Sequence, residues 1–510
     1  MIRFLAFAAA LPLVPVISIV MVGLSLYRAL VAWIIGHKFK GRYAGMLAGS
    51  DVIWGLDEDR NSGVVNVLGF AEGSLSEQAG RTPQQIVAFL TERFEVILKN
   101  RNNEAFRKLF LQRNRSLGFY FWTRAKEVKL SDYIRLVRIN ENATVTEKEI
   151  CDYVTKICNR KLFRTNNNAW ELLVGTQYIE DSQTNLAKYP VLFRFHHSLG
   201  DGISIMRFIL DEVVDQRQDS IDLTKTLSTV GKRHNTTFWS NLKAFYNAPS
   251  FVLRVLFSSE EPNSLHVMVP TPEKIICWQN ENFTLTRDCW NHILENVGQI
   301  SPKPSYSNTL LAVLSGTFFG YFASTEQYPN SLTIAMPTRV QQEAHQVNLK
   351  NTFATPMQQL KISPQIDLQD PNRLQRLLKK LSHLQQTTNR LRSSSDTMLT
   401  HQMMSTLPSI CPLPVLRLLS NLFRITASVS IMPPLKHRLR LGPYELSDVY
   451  FWPPAFGSVG VNLTAFSYGG QLRLTLLADR TLFRTSEEGQ TLLNEFFSEM
   501  GRMERVLSEC

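Results

Sequence analysis

The amino-acid sequence predicts a layered α/β protein preceded by a membrane-spanning helix, and three observations support this. Segments with the helical spacing of apolar residues alternate with short runs typical of strands. The 510 residues, 44% of them hydrophobic and 19% charged, are enough for about two or three domains with a sizeable core. In addition, residues 4–27 carry no charge. Together these observations exclude a disordered chain, a collagen and a small disulfide scaffold.

The N-terminal segment, residues 1–40, is long enough to span a membrane, because about 20 helical residues cross a hydrocarbon core roughly 30 Å thick. Its apolar character resumes after Arg28, which favours a retained anchor over a cleaved signal peptide. Basic residues follow at Lys38 and Lys40, whereas only Arg3 precedes it. We therefore expect a single-pass membrane protein with a cytosolic body, at the endoplasmic reticulum or the plasma membrane.

The first predicted α/β half covers residues 45–215. Helical spacing indicates two helices between residues 84 and 113 and another over 147–160. Strand patterns lie at residues 133–139 and 170–174. Because helices and strands alternate here, we expect a sheet covered by helices.

A polar, irregular stretch then predicts a crossover linker over residues 216–300, and a second half covers 301–510. Residues 308–324 are uncharged and include small residues, and we expect a buried helix there rather than a second membrane span. A leucine-rich pattern over residues 374–384 has basic side chains between its leucines. We favour a helix with leucines in the core over one that lies on a membrane.

Two adjacent histidines end a predicted strand, and the turn from Ser198 leads into a predicted helix. Because side chains alternate along a strand, His196 and His197 point to opposite faces. This disfavours a shared metal ion and favours one working base, His197, beside a structural histidine, His196. We expect Asp201 to cap the helix or to pair with a buried arginine, and Gly202 to permit a tight backbone beside the imidazole.

This stretch, FHHSLGDG at residues 195–202, resembles the HHxxxDG motif of the CoA-dependent acyltransferase superfamily, and its surroundings resemble the wax ester synthase/diacylglycerol acyltransferase (WS/DGAT) family. Other family motifs are matched, in order, by Ser50-Asp51, Trp170-Glu171, Ser307-Asn308-Thr309, Met336-Pro337-Thr338-Arg339, Asn351 and the strand pair that begins at Val461 and ends at Ala478-Asp479. Thr309 stands where the family has an acid, and the loop at residues 430–434 departs from the family's substrate loop.

The resemblance implies two chloramphenicol-acetyltransferase-like α/β halves with a tunnel between them. It also implies transfer of a long acyl chain from acyl-CoA, as co-substrate, to a lipid hydroxyl, with His197 as general base. The acceptor would be a fatty alcohol, giving a wax ester, or diacylglycerol, giving triacylglycerol. The oxyanion that forms needs a hydrogen-bond donor, and the candidates are Asn308, Asn351, Thr464 and Ser467.

Two further hypotheses stay open: a catalytically silent lipid-binding protein, and an acyltransferase for a polar small-molecule or protein hydroxyl. The formal net charge of +11 is compatible with anionic partners, but the basic residues are scattered and we expect no nucleic-acid binding. The six cysteines show no CxxC spacing, so we expect no zinc site, and no bound cofactor is implied.

Overall fold

The structure is a computed structural model that describes residues 2–74, 82–162, 168–181, 186–215, 238–257, 262–279, 286–300, 303–340, 347–420 and 423–508. Residues 216–237, the start of the predicted linker, lie outside this description. The helices are α1 (Ile2–Ala10), α2 (Leu13–Phe39), α3 (Ser50–Ile53), α4 (Thr82–Lys99), α5 (Glu104–Arg107), α6 (Glu147–Ile157), α7 (Gly202–Phe208), α8 (Phe238–Phe257), α9 (Thr286–Val297), α10 (Tyr306–Ser324), α11 (Arg373–Ser393), α12 (Asp396–Ile410), α13 (Leu413–Ser420) and α14 (Ser486–Ser508).

The strands are β1 (Tyr43–Met46), β2 (Val64–Ser74), β3 (Leu111–Ser116), β4 (Phe119–Arg124), β5 (Ile134–Val137), β6 (Trp170–Gly175), β7 (Ile179–Asp181), β8 (Leu186–His196), β9 (Lys274–Trp278), β10 (Ser331–Ala335), β11 (Thr338–Arg339), β12 (Phe353–Ala354), β13 (Met357–Lys361), β14 (Ala427–Ile431), β15 (Arg440–Leu441), β16 (Tyr444–Trp452), β17 (Val461–Tyr468) and β18 (Gln471–Asp479). They form two large sheets and two small ones. The mixed α/β fold predicted from the sequence is confirmed.

The first large sheet has seven strands, in the order β15-β16-β2-β8-β6-β5, with β7 paired to β8. Its central pair, β2 and β8, is antiparallel over the full 11 residues of each strand. The buried Arg194 of β8 forms an ion pair with Glu171 of β6 and donates hydrogen bonds to two backbone carbonyls, at 2.7 Å each. The strand that carries the two histidines is therefore held from both sides.

The second large sheet has six strands, in the order β13-β10-β14-β17-β18-β9. The hairpin of β17 and β18 turns at Gly469 and Gly470, whose φ values of 56° and 78° suit glycine best. At the edge of this sheet, Lys274 and Asp479 form a fully buried ion pair at 2.8 Å. The strand pair expected from the C-terminal motif is thus present.

Three strands cross the predicted domain boundaries, which themselves stay a prediction. Strands β15 and β16 lie in the predicted C-terminal half, yet they complete the seven-stranded sheet. Strand β9 lies in the predicted linker, yet it is an edge of the six-stranded sheet. Each sheet therefore depends on chain from outside its own half.

The helix predictions hold with one exception. Helix α10 is buried along most of its length, and in α11 Leu377, Leu381 and Leu384 are buried in the core, as the leucine pattern predicts. The second helix expected before residue 113 is wrong in extent, because α5 has only four residues and the chain then enters β3. Pairing of β3 with β4 outweighs the helical spacing there.

The apolar N-terminal segment is divided at Pro12. A proline has no backbone N–H to donate, so it separates α1 from α2. Among the described residues, Leu13–Arg42 is the one helical stretch long and apolar enough to cross a membrane. The candidate span therefore starts at Leu13, and α1 packs against the body of the protein through Phe7, whose ring lies 5.7 Å from that of Phe245 in α8.

Candidate active site

The two histidines lie where β8 ends and the chain turns into α7. The backbone N–H of His196 donates to the carbonyl of Ala169 at 2.7 Å, and that of His197 donates to the carbonyl of Gly63 at 2.9 Å. The ladders of β6 and β2 thus continue to the last residue before the turn. Both histidine side chains are buried.

The imidazole of His197 lies against two aromatic rings at the wall of a large cavity. The indole of Trp54 stacks on it with 3.9 Å between ring centroids and an angle of 18° between planes. Phe353, from the second half of the chain, contributes a ring 5.7 Å away. Trp54 covers one face of the imidazole, and Phe353, whose ring lies 6.1 Å from that of Trp54, packs to the side; these contacts fix the plane of the imidazole.

A hydrogen-bond chain fixes the tautomer of His197. The amide nitrogen of Asn351 donates to Asp51 Oδ1 and to the carbonyl of His197, both at 2.8 Å. The amide oxygen of Asn351 then faces His197 Nδ1 at 3.0 Å and can only accept. Nδ1 therefore carries the proton, and Nε2 presents a free lone pair.

The far end of this chain is an ion pair. Lys108 Nζ lies 2.5 Å from Asp51 Oδ2 and also donates to the carbonyl of Ser198 at 3.3 Å. Lys108 thereby holds both the carboxylate that orients Asn351 and the turn that follows His197. Sequence analysis placed Asp51 in a family motif but missed the roles of Lys108 and Trp54, for which the sequence carries no recognisable spacing.

Burial lowers the pKa of His197 well below its ordinary value of 6.5, and the nearby carboxylates of Asp201 and Asp51 offset this only in part. The imidazole is consequently neutral at physiological pH. A neutral imidazole with a free Nε2 lone pair is the form that can accept a proton from a hydroxyl.

His196 has the opposite tautomer and a different environment. Its Nδ1 accepts the backbone N–H of Ser198 at 3.1 Å, and the hydroxyl of Ser198 lies 2.8 Å away. Burial lowers its pKa well below 6.5. The side chain of His196 is not among the groups that line the cavity, which agrees with a structural position.

Asp201 caps α7 and joins the two halves of the chain. Its Oδ1 accepts from the backbone N–H and the hydroxyl of Ser204, both at 2.8 Å. Its Oδ2 accepts from the backbone N–H of Thr352 at 2.9 Å. Within the described part of the chain Asp201 forms no ion pair with an arginine, so capping is the arrangement found. The buried arginine at this end of β8, Arg194, pairs with Glu171 instead.

Two cavities meet beside the motif. The larger, about 250 Å³, is lined by His197, by mostly apolar side chains from both halves and by a few polar ones, and the smaller, about 120 Å³, is lined almost wholly by apolar side chains under α7. Gly202, Met432 and Phe451 line both. A Cβ on Gly202 would lie 3.2 Å from the methyl of Met432, so this glycine provides space rather than an unusual backbone angle.

Of the four candidate oxyanion donors, the structure brings only Asn351 to the imidazole, and there its amide nitrogen is already donated to Asp51 and His197. Asn308 accepts a hydrogen bond from Thr388 between α10 and α11, away from the cavity. Thr464 and Ser467 lie on β17 and do not line the cavity either. Asn462, on the same strand, does line it, and its buried Nδ2 has no hydrogen-bond partner among the described residues.

The residues that the structure describes include no group of three or more His, Cys, Asp or Glu side chains arranged to hold a metal ion.

This mixed α/β fold, with two large sheets, an HHxxxDG turn and a cavity lined from both halves, matches solved structures of acyltransferases and condensation domains. A wax ester synthase/diacylglycerol acyltransferase from Marinobacter aquaeolei VT8 superposes with a TM-score of 0.59 at 13% identity, over 91% of this chain and 100% of that one. A trichothecene 15-O-acetyltransferase from Fusarium sporotrichioides gives 0.59 at 12%, over 90% and 94%. The starter condensation domain of rhizomide synthetase, in complex with C8-CoA, gives 0.52 at 12%, over 92% and 95%.

The sequence match is more specific but shorter. Residues 360–504, from β13 to α14, match the WS/DGAT C-terminal domain. The resemblance to the WS/DGAT family that the motifs indicate is thereby confirmed over this region, and these findings support acyl transfer as the general chemistry. No curated protein sequence matches the chain.

We predict that Asp201→Ala loosens the turn and α7. The change removes the helix cap and leaves the buried N–H of Thr352 without its acceptor, a loss of about 2–3 kcal/mol. Hydrogen exchange measured by mass spectrometry should rise in residues 202–208 and around Thr352. The control Thr146→Ala removes the cap of α6 and should raise exchange only there. Unchanged protection at Thr352 in Asp201→Ala would contradict the role of Asp201 in holding the backbone of Thr352.

Proposed function

We propose that this protein is a membrane-anchored O-acyltransferase that moves a long-chain acyl group from acyl-CoA to a lipid hydroxyl, with His197 as general base. The observation that carries the proposal is the orientation of the imidazole. Asn351 occupies Nδ1, so the basic Nε2 is left for the cavity. The match of residues 360–504 to the WS/DGAT C-terminal domain supports the same chemistry.

In the proposed reaction, Nε2 of His197 accepts the proton of the acceptor hydroxyl as its oxygen attacks the thioester carbonyl. The carbonyl oxygen becomes an oxyanion, and the tetrahedral intermediate collapses by breaking the bond between carbon and sulfur. The proton on Nε2 then passes to the departing CoA sulfur, and the ester remains. Asn351 keeps its hydrogen bond to Nδ1 throughout, and the carboxylates of Asp51 and Asp201 stabilise the transient imidazolium.

The lining of the two cavities supports a lipid rather than a polar acceptor. Polar acceptors need convergent hydrogen-bonding groups, whereas the smaller cavity is almost entirely apolar and the larger one is mostly so. One long chain of the reacting pair is proposed to occupy the smaller cavity, with its reactive end at Gly202. Both a fatty alcohol and diacylglycerol meet these requirements. Asn462 is the proposed donor for the oxyanion, because its amide is buried, unpaired among the described residues and on the cavity wall.

Residues Leu13–Arg42 are proposed as the membrane anchor, since almost all of this helix faces outward. The basic residues at its C-terminal end support a cytosolic body at the endoplasmic reticulum or the plasma membrane. An acceptor dissolved in the membrane would then be close to the protein that esterifies it.

The first test replaces the base. Membranes with wild type, His197→Ala or His197→Gln receive labelled long-chain acyl-CoA and either a fatty alcohol or diacylglycerol. Ester formation should fall by about 10²–10⁴-fold in both variants, the usual contribution of a general base. His292→Ala changes a surface histidine paired with Glu504 and should keep wild-type activity. If folded wild type and variants give equal, background-level product with every lipid acceptor, a catalytically silent lipid-binding protein is favoured. If only polar acceptors are esterified, an acyltransferase for a polar small-molecule or protein hydroxyl is favoured.

We predict a low acidic limb in the pH profile of kcat/KM. The folded-state pKa of His197 lies below 6.5, so the imidazole stays neutral and kcat/KM stays unchanged as the pH falls through 6.5. The value of kcat/KM declines only at lower pH. Trp54→Ala exposes the imidazole to water and should raise this pKa, which moves the limb to higher pH. Trp33→Ala, on the exposed surface of α2, should leave the limb in place. A wild-type limb centred at or above 6.5 would show that burial does not set the pKa.

Filling the smaller cavity should change chain-length preference. Val67→Phe adds a ring to its wall, and each displaced methylene loses about 0.8 kcal/mol of burial. The ratio of rates with long and short chains should fall by roughly tenfold when two methylenes are displaced. Separate length series for acyl-CoA and for alcohol will identify which chain enters. Val96→Phe, the same exchange at an exposed position of α4, should alter neither series. If Val67→Phe shifts neither series, this cavity is excluded as a substrate site.

A further inference from the structure

Helix α8 has two apolar faces. Its inner side packs Ala244 and Phe251 against Leu399 of α12. Its outer side exposes a continuous row of large apolar residues, among them Trp239, Leu242, Leu253, Leu256 and Phe257. Trp239 is 73% exposed and Phe257 78%. A helix in contact with water on this side would carry polar residues at these positions.

The exposed face continues into the apolar N-terminal helices. Phe7 of α1 lies 5.1 Å from the ring of Tyr246 in α8, in addition to its contact with Phe245. On the other side, Tyr27 of α2 donates a hydrogen bond to the carbonyl of Leu117 at 3.3 Å, in the turn between β3 and β4. Helix α1 is therefore in contact with α8, and the candidate membrane span, α2, is in contact with the turn at Leu117.

Helix α13 extends this surface. The carbonyl of Gly118, next to Leu117, accepts the backbone N–H of Leu413, the first residue of α13, at 2.8 Å. From that helix, Leu418 is 70% exposed and Val415 is exposed as well. We use the name apolar ledge for the outer faces of α8 and α13 together with Leu117 in the turn between β3 and β4.

The charges of these elements favour a lipid surface. None of α1, α2, α8 and α13 contains an aspartate or glutamate. Their charged residues are basic, including Arg3, Lys38, Lys243, Arg254 and Arg417. Arg254 is paired with Asp396 of the neighbouring α12, but the four helices themselves contribute only basic charges beside this large apolar face, which matches the interface of an anionic leaflet.

The same helices form walls of the cavity that contains His197. Phe251 of α8, Met404 and Leu407 of α12, and Leu416 and Leu419 of α13 all line it. The cavity therefore lies directly behind the ledge, separated from the outer face by the thickness of single helices.

We propose that the apolar ledge is immersed in the membrane interface and that the acceptor lipid moves sideways from the bilayer, between α8, α12 and α13, to His197. The occupant of the ledge is thus a lipid bilayer, not a second protein. The path to His197 rests on the proposed function, whereas immersion of the ledge does not.

Tryptophan fluorescence tests immersion without any activity. Full-length protein is reconstituted in phosphatidylcholine/phosphatidylserine vesicles with or without lipids brominated on the acyl chains, and the Trp239→Phe variant supplies the difference signal. The Trp239 emission should be quenched by brominated lipid and protected from aqueous iodide. Quenching by iodide alone would overturn the proposal, and so would protection from both quenchers, which would indicate a protein covering the ledge.

Activity tests the path. Leu253→Glu and Phe257→Glu place charges on the ledge, and Val96→Glu, 55% exposed on α4, is the matched control. Ester formation with a long-chain acceptor in vesicles should fall at least fivefold in the ledge variants and not in the control. With a short, water-soluble alcohol all four proteins should be equal. Equal loss with both acceptors would overturn the path, while absence of ester from wild type with any acceptor would instead contradict the proposed function and leave the fluorescence result standing.

Discussion

The hydrogen bond between His197 Nδ1 and Asn351 Oδ1 is the constraint on which the site depends. It joins the end of a central strand in one sheet to a loop of the other half, 154 positions along the chain. It determines which imidazole nitrogen carries the proton and which faces the cavity. Asn351 can act in this way only because Asp51 and Lys108 determine the orientation of its amide. Four side chains from four separate parts of the sequence thus specify one tautomer.

The wider fold maintains this junction. Strands β15 and β16 leave the second half to complete the sheet of the first, and Asp201 reaches Thr352 in the opposite direction. Residues of the second half therefore bind the first, and a residue of the first half binds the second, around the cavity. Relative sliding of the halves would break backbone hydrogen bonds as well as side-chain contacts. This stiffness suits a site whose imidazole is held by partners from both halves.

Much of this architecture can be predicted from the sequence, because local patterns encode it. The alternation of helix and strand, the buried helix α10, the leucine face of α11 and the HHxxxDG turn all depend on neighbouring residues. The extent of the second of the two early helices was predicted wrongly, because most of that segment forms strand β3 and pairs with β4. Lys108 and Trp54 could not be assigned, because their roles arise from contacts with His197 and Asp51 across the fold. Three of the four oxyanion candidates lie away from the imidazole for the same reason: motif order does not determine distance.

The cross-half position of Asn351 has a consequence for how the protein is made. The candidate membrane span lies within the first 42 residues, so it leaves the ribosome long before Asn351 and Thr352 do. Over 154 positions of synthesis the chain contains His197 without the amide of Asn351 that orients it and without the backbone N–H of Thr352 that binds Asp201. Orientation of the His197 imidazole is thus delayed until both halves can fold together.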